Sequence, residues 1–419
     1  MKGFLYSVFF LWAGFAQAYV ISPTSIEVKF AYTAEFQTQQ TSNVNDLILL
    51  HSSYLFGYMQ SPELAAQFDI NKRTAGFGAP TWPPAIQILN ETKAGKLRTI
   101  KYHAEGVFLL NDLAAATMLK QGSWQMALPY DLDNYFNVNC VTPGEDTGKS
   151  EFWYFYDPYM PKCTNLVTSP LAQTVTMAIA PMPAVDKSET ADLAAIRGDN
   201  GNGNLFQITT ITGFDETEKK SDDGSVSFKE LNDWLEKTEH FTKTVVQSYP
   251  SRPIYQFDKD VLDSNKNPVH IRITRLLVQT DLDNNHVTFA KFLKSAIESA
   301  DVILYAGHSG AGTMLEARDI EAEAGPLIFT KDKKQLFVFD ACSGYSYYTP
   351  LFVGRKTPGT LDLMTMGLTS QFGYEHAMHK AFLRYMFDMK NEHPAWNDMM
   401  TDMEKSLRGM SFMLNLQVM

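Results

Sequence analysis

From about residue 251 onward, short apolar runs alternate with longer stretches of helical spacing. VHIRITRLLVQ (269–279), DVILYAGHSGAG (301–312), QLFVFDACSG (335–344) and TLDLMTMGLTS (360–370) each read as a strand, and the middle two carry continuous apolar runs. Continuous runs of this kind predict strands buried on both faces. TFAKFLKSAIESA puts Phe289, Phe292, Leu293, Ala296 and Ile297 on one helical face, and a second helix is expected from Tyr374 to Met389. Strands alternating with helices predict an α/β unit, a mostly parallel sheet covered on both faces. In such sheets functional residues collect at the carboxyl ends of the strands. Two of these strands end in chemistry, at His308 and at Cys342.

The earlier half is patterned differently. SIEVKFAYTAEF (25–36) alternates as a half-buried strand does, NVNDLILLHSSYLFGYM (43–59) has helical spacing, and KLRTIKYHAEGVFLL and SWQMALPY read as further strands. Residues 19–185 are therefore expected to form a smaller α+β domain, with a split βαβ arrangement. The aromatic run FWYFYDP beside Cys163 is assigned to its core, because such side chains bury the most area. Residues 186–250 are more polar and are taken as a linker or insert, with a helix from Phe228 to Thr238. The α/β domain then spans 251–419. The RGD tripeptide at Arg197 to Asp199 consists of three common residues and carries no weight.

Composition narrows the function classes. The chain has 419 residues, 45% hydrophobic and 20% charged, enough for two cores, and its formal charge is −11. That charge repels phosphate backbones and anionic lipid, so neither nucleic acid nor a membrane surface is an expected partner. Residues 1–18 hold one lysine, a 12-residue apolar run too short to span a bilayer, and Ala16-Gln17-Ala18. This is the pattern of a secretory signal peptide, with the exported chain beginning at Tyr19. Export to a periplasmic or extracellular space favours pairing of thiols. Cys140 and Cys163, in one turn-rich stretch, form the simplest disulfide. Cys342 is left over: an inert core thiol or a reactive one.

Two stretches bear on metal binding. In ETEKKSDDGSVSFKELNDWL, Gly224 and Glu230 match the turn glycine and closing carboxylate of a calcium loop, with Asp223 between the expected ligands. Lys219 stands where the first carboxylate belongs, and Ser221 at the third position. A cation there opposes a divalent ion, so the stretch reads as a helix cap. His376 and His379 lie three apart with no third ligand nearby, and are read as ordinary helix histidines. No metal and no other cofactor is expected.

His308 and Cys342 are 342 − 308 = 34 residues apart, ample for a crossover between parallel strands. A histidine beside a thiol lowers its pKa or serves as its base. Backbone N–H groups of Cys342 and of Ser309 or Gly310 are natural donors to a developing oxyanion. At this point ILYAGHSGAG and LFVFDACSGYS resemble the caspase, legumain and gingipain superfamily of cysteine peptidases. There a hydrophobic strand ends in His-Gly, and a later one in an acidic or amide residue, Ala-Cys, a small or polar residue and Gly. The resemblance covers about residues 265–390. It implies a caspase-like αβα sandwich, His308 as general base, Cys342 as nucleophile, Asp340 and Gly344 in supporting places, and a protein or peptide substrate. Ser309 departs from the superfamily's glycine after the histidine.

Two rivals stay open. Gly307-His308-Ser309-Gly310-Ala311 nearly spells the nucleophile elbow of α/β-hydrolases, with Ser309 attacking, Asp340 as acid and His376, His379 or His393 as base. Ala311 crowds the last position of that turn, and too few strands precede it. The other rival is an inactive secreted binding or surface protein, with His308 and Cys342 as core residues.

Overall fold

The computed structural model describes residues 19–70, 76–134, 140, 156–158, 163, 169–198, 204–214, 221–249, 252–280, 286–309, 315–348, 352, 355–368, 370, 373–406 and 414–418. The signal-peptide segment, Lys219 and Gly310 lie outside them. The chain is mixed α/β with two sheets. The first unit comprises β2 (Ser25–Thr38), α1 (Val44–Met59), α2 (Pro62–Ala65), β3 (Gly78–Pro80), β4 (Ala85–Ala94), β5 (Leu97–Asn111), α3 (Asp112–Gln121), β6 (Ser123–Pro129) and β7 (Ala172–Pro181). Its strands pair in the order β3-β5-β2-β7-β6, with β4 on β5, all antiparallel. Strand β2 turns Val28, Phe30, Tyr32, Ala34 and Phe36 to one buried face, the period of two a sheet requires. Helix α1 starts at an Asn43 cap, whose Oδ1 accepts from the Asn45 N–H, and packs on that face. Cys140 and Cys163 are bonded to each other, and both pack on this core.

The second sheet holds nine strands in the order β1-β15-β14-β13-β12-β8-β11-β10-β9. They are β1 (Tyr19–Ile21), β8 (Leu205–Gly213), β9 (Thr242–Tyr249), β10 (Arg252–Leu262), β11 (Pro268–Val278), β12 (Val302–Ala306), β13 (Gln335–Asp340), β14 (Leu361–Met366) and β15 (Leu414–Val418). The five central strands, β14 to β11, run parallel. The helices are α4 (Leu193–Gly198), α5 (Asp223–Lys237), α6 (His286–Ser299), α7 (Ala317–Ala324), α8 (Gly344–Tyr347), α9 (Glu375–Phe387) and α10 (Trp396–Ser406). Val302, Leu304, Leu336 and Val338 meet α4, α5, α9 and α10 on one face, while Ile303, Tyr305, Phe337 and Phe339 meet α6 and α7 on the other. Fully buried strands of continuous apolar sequence follow from this double cover. No helix among the described residues is long and apolar enough to cross a membrane.

Residues 186–250 depart from the expected linker. They supply α4, α5, β9 and above all β8, which sits between β12 and β11 at the centre of the sheet. The reason lies in LFQITTITG: its threonines suggest a polar surface, yet Thr209, Thr210 and Thr212 are buried. Threonine keeps the β-branched shape that strands favour. Gly224 lies inside the first turn of α5, and a Cβ there would meet the Gly213 carbonyl oxygen at 2.0 Å. Asp222 caps the helix, its Oδ1 accepting from Ser225 N at 2.8 Å, and Glu230 lies 3.5 Å from His376 and 3.8 Å from Lys380.

Candidate active site

Strands β12 and β13 are parallel neighbours, with Ala306 opposite Asp340. His308 stands two residues beyond Ala306, and Cys342 two beyond Asp340, so the two leave the sheet at matched height from strands about 4.8 Å apart. The Gly307 N–H donates to the Asp340 carbonyl at 3.2 Å and extends the pairing past the last ladder residues. The edge is also where strand order reverses: β8 is central, β11 lies on one side, and β12, β13 and β14 follow on the other. Ligand sites of open α/β sheets form outside the carboxyl ends at such a point.

The histidine loop is held by its carbonyls. The Tyr305 hydroxyl donates to the His308 carbonyl at 2.6 Å, and the Tyr348 hydroxyl to the Ser309 carbonyl at 2.9 Å. Both tyrosines are buried. Gly307 has to be glycine: a Cβ would meet the Tyr305 hydroxyl at 2.8 Å and Thr280 Oγ1 at 3.0 Å. His308 is half-buried, whereas Ser309 is only 4% exposed.

The cysteine turn is held by its neighbours. Cys342 is half-buried, keeps its thiol, and lies 3.8 Å from the Ser370 carbonyl. Burial raises the hydroxyl pKa of Tyr305 and Tyr347, and the neighbouring Cys342 adds to it in both. Ser343, which follows, is left-handed at φ 51°. For a residue with a side chain that costs about 1 kcal/mol or more, and it persists where surroundings over-determine it. They do so here: Ser343 N donates to Leu368 O at 3.0 Å, its carbonyl accepts from Ser346 N at 2.9 Å, and Gln60 Nε2 of the first unit donates to its hydroxyl at 2.8 Å. Gly344 opens α8 where a Cβ would lie 2.0 Å from Thr365 Oγ1. A strand, a strained turn and a helix thus succeed one another at Cys342.

Beneath the turn, on the α5 and α9 face, lies a buried polar cluster. Ser370 donates to Asp340 Oδ1, and burial holds that carboxyl up at about 6. Glu375 accepts from the Ser227 hydroxyl and the Gly373 N–H, each at 2.7 Å. Its carboxyl is raised to about 8, first by burial and then by Asp340. His379 Nε2 approaches Asp340 Oδ2 at 3.8 Å without a hydrogen-bond partner. Burial, then the Arg275 charge, lower this imidazole to about 3. At that value it is neutral near neutral pH, so the approach is not an ion pair and the ring is a poor base. Arg275, fully buried, donates to Thr210 and Asn232 at 2.9 and 2.8 Å, and its guanidinium lies 4.5 Å from the Phe228 ring centre.

The residues singled out in sequence thus fall into groups. His308, Ser309, Cys342, Asp340 and Gly344 gather at one sheet edge. His379 joins Asp340 from beneath, His376 sits beside Ser227 and Glu230, and His393 is exposed on the turn before α10. Sequence reasoning missed Tyr305, Ser370, Glu375, Ser343 and Gln60. Tyr305 carried a signal, a hydroxyl three residues before the histidine in an otherwise aliphatic run. Gln60 carried none. No protein-family model matches the chain, and no curated protein matches it at a significant level.

Proposed function

We propose that the chain is an exported cysteine peptidase in which His308 and Cys342 act as a dyad. The observation that carries this reading is the matched register: His308 and Cys342 follow adjacent parallel strands by the same two residues at the switch point of the sheet. The resemblance to the caspase, legumain and gingipain superfamily agrees with it, as does a central parallel sheet covered by helices on both faces. In the reaction, Cys342 Sγ attacks the peptide carbonyl carbon as its proton passes to His308. The C–N bond then breaks, and the leaving amine takes that proton. Water, deprotonated by His308, hydrolyses the thioester and restores the thiol. The Cys342 N–H, with one from the His308 loop, is the expected oxyanion donor set. The Cys140–Cys163 disulfide fits an oxidising compartment.

Three single variants assayed on a fluorescent protein substrate test the reading. Cys342→Ala and His308→Ala are expected to abolish hydrolysis, while Ser309→Ala retains most of it. Loss of activity in Ser309→Ala together with survival in Cys342→Ala overturns the proposal in favour of a serine hydrolase. A poor base at His379 speaks against that outcome.

A further inference from the structure

A cavity of about 630 Å³ opens between β1, the start of β2, the end of α3 and the chain that follows β7. Its walls are mostly apolar, with Val20, Ile26, Leu119, Met182 and Val185 among them. That size suits a small organic ligand, for which sites run from about 300 to 1,000 Å³. Two polar groups stand in this apolar wall, Ser25 and Glu27, two residues apart and hence on the same face of β2. The Ser25 hydroxyl is buried and has no hydrogen-bond partner among the described residues. Glu27 accepts from the Tyr345 hydroxyl at 2.6 Å through Oε1 and makes no ion pair among the described residues. Lys187, the cation of the same lining, lies instead 3.9 Å from Asp112. Burial holds the Glu27 carboxyl above its ordinary range, with the tyrosine hydrogen bond pulling the other way. Asp186 and Glu189 at the rim add negative charge.

We propose that this cavity binds a small apolar molecule bearing a protonated amine, and that its occupancy is felt at Cys342. An ammonium brings three donors and no acceptor. Glu27 is the matching acceptor. A half-buried carboxylate without a cation is costly, and an ammonium beside it removes that cost. The apolar body of the ligand takes the place of water against the valine, leucine and methionine side chains. The route to the thiol is short. Tyr345, which holds Glu27, belongs to α8 and lies 345 − 342 = 3 residues past Cys342. A shift of Glu27 on binding is carried by that hydroxyl into the helix that fixes the cysteine turn.

The probe is phenethylamine, titrated into the purified protein by calorimetry near neutral pH, with phenethyl alcohol and phenylacetate as neutral and anionic counterparts. The amine is expected to bind most tightly, and Glu27→Gln to weaken it about tenfold or more. Saturating amine is expected to change the rate at which iodoacetamide labels Cys342. In Tyr345→Phe binding persists within a few-fold, but that change disappears. Equal binding of the three probes, an affinity indifferent to Glu27→Gln, or a Cys342 labelling rate unmoved at saturation overturns the proposal. None of these readouts involves peptide hydrolysis, so they test it even if the chain cleaves no peptide bond.

Discussion

At the scale of single residues, the chemistry rests on side chains that fix main-chain atoms. The Tyr305 hydroxyl reaches the His308 carbonyl, and Gln60 reaches Ser343 across 283 positions of sequence. Removing either donor takes a hydrogen bond from a part-buried acceptor, at about 1 kcal/mol, and more where the acceptor is left without water. Tyr305→Phe is therefore expected to slow Cys342 alkylation near pH 6 by about tenfold, because a displaced imidazole holds the thiolate less well. Its stability, measured by denaturant, should fall by no more than about 3 kcal/mol. An unchanged alkylation rate in a folded variant would mean that Tyr305 does not position the base. His308 and Cys342 stood out in the sequence because each follows an apolar run with a reactive residue and has a glycine within two places. Gln60 was not, since its role exists only once two distant segments meet.

At the scale of elements, β12, β13, α6 and α9 follow from periodicity alone, for a buried strand and an amphipathic helix each leave an unambiguous pattern. β8 does not, because its inward threonines imitate surface positions. The first turn of α9 carries a consequence of its own. Glu375 there binds its proton more tightly in the folded than in the unfolded chain, its carboxyl raised from 4.5 to about 8. The native state therefore holds the extra proton between those values, and stability falls as pH rises through that window. Asp340 acts in the same sense between 3.8 and about 6. Glu375→Gln keeps an acceptor for Ser227 without the charge. It is expected to melt higher than the parent above about pH 8 and close to it near pH 4. Thermal melts across that range check it, and a difference of the opposite sign rules out an uncompensated carboxyl at this place.

At the scale of the whole molecule, the two sheets are tied at the cysteine. β1 opens the chain of the first unit but pairs with β15 at the edge of the nine-stranded sheet. Tyr345, Ser346 and Tyr347 of α8 contact Glu27, Pro80 and Phe56 of the first unit. Neither link was visible in a sequence that divides cleanly by pattern near residue 185, because both depend on how the sheets dock. The disulfide lies in the other core, closing a separation of 23 residues. Replacing both its cysteines by serine is expected to cost about 3 kcal/mol of unfolding free energy. The Cys342 alkylation rate should not change, since the bridge packs on the core of the first unit. A large change in that rate would show that the first unit sets the thiol through its whole core rather than through the contacts of Gln60 and Glu27.

The most direct test of the dyad is the rate of iodoacetamide alkylation at about pH 6 on the unreduced protein, where an ordinary thiol is almost wholly protonated. Labelled peptides are mapped by mass spectrometry, with His308→Ala alongside. The account predicts fast labelling confined to Cys342, slowed by about tenfold or more without the imidazole. Labelling of Cys342 only after unfolding, or at the same rate in His308→Ala, contradicts it.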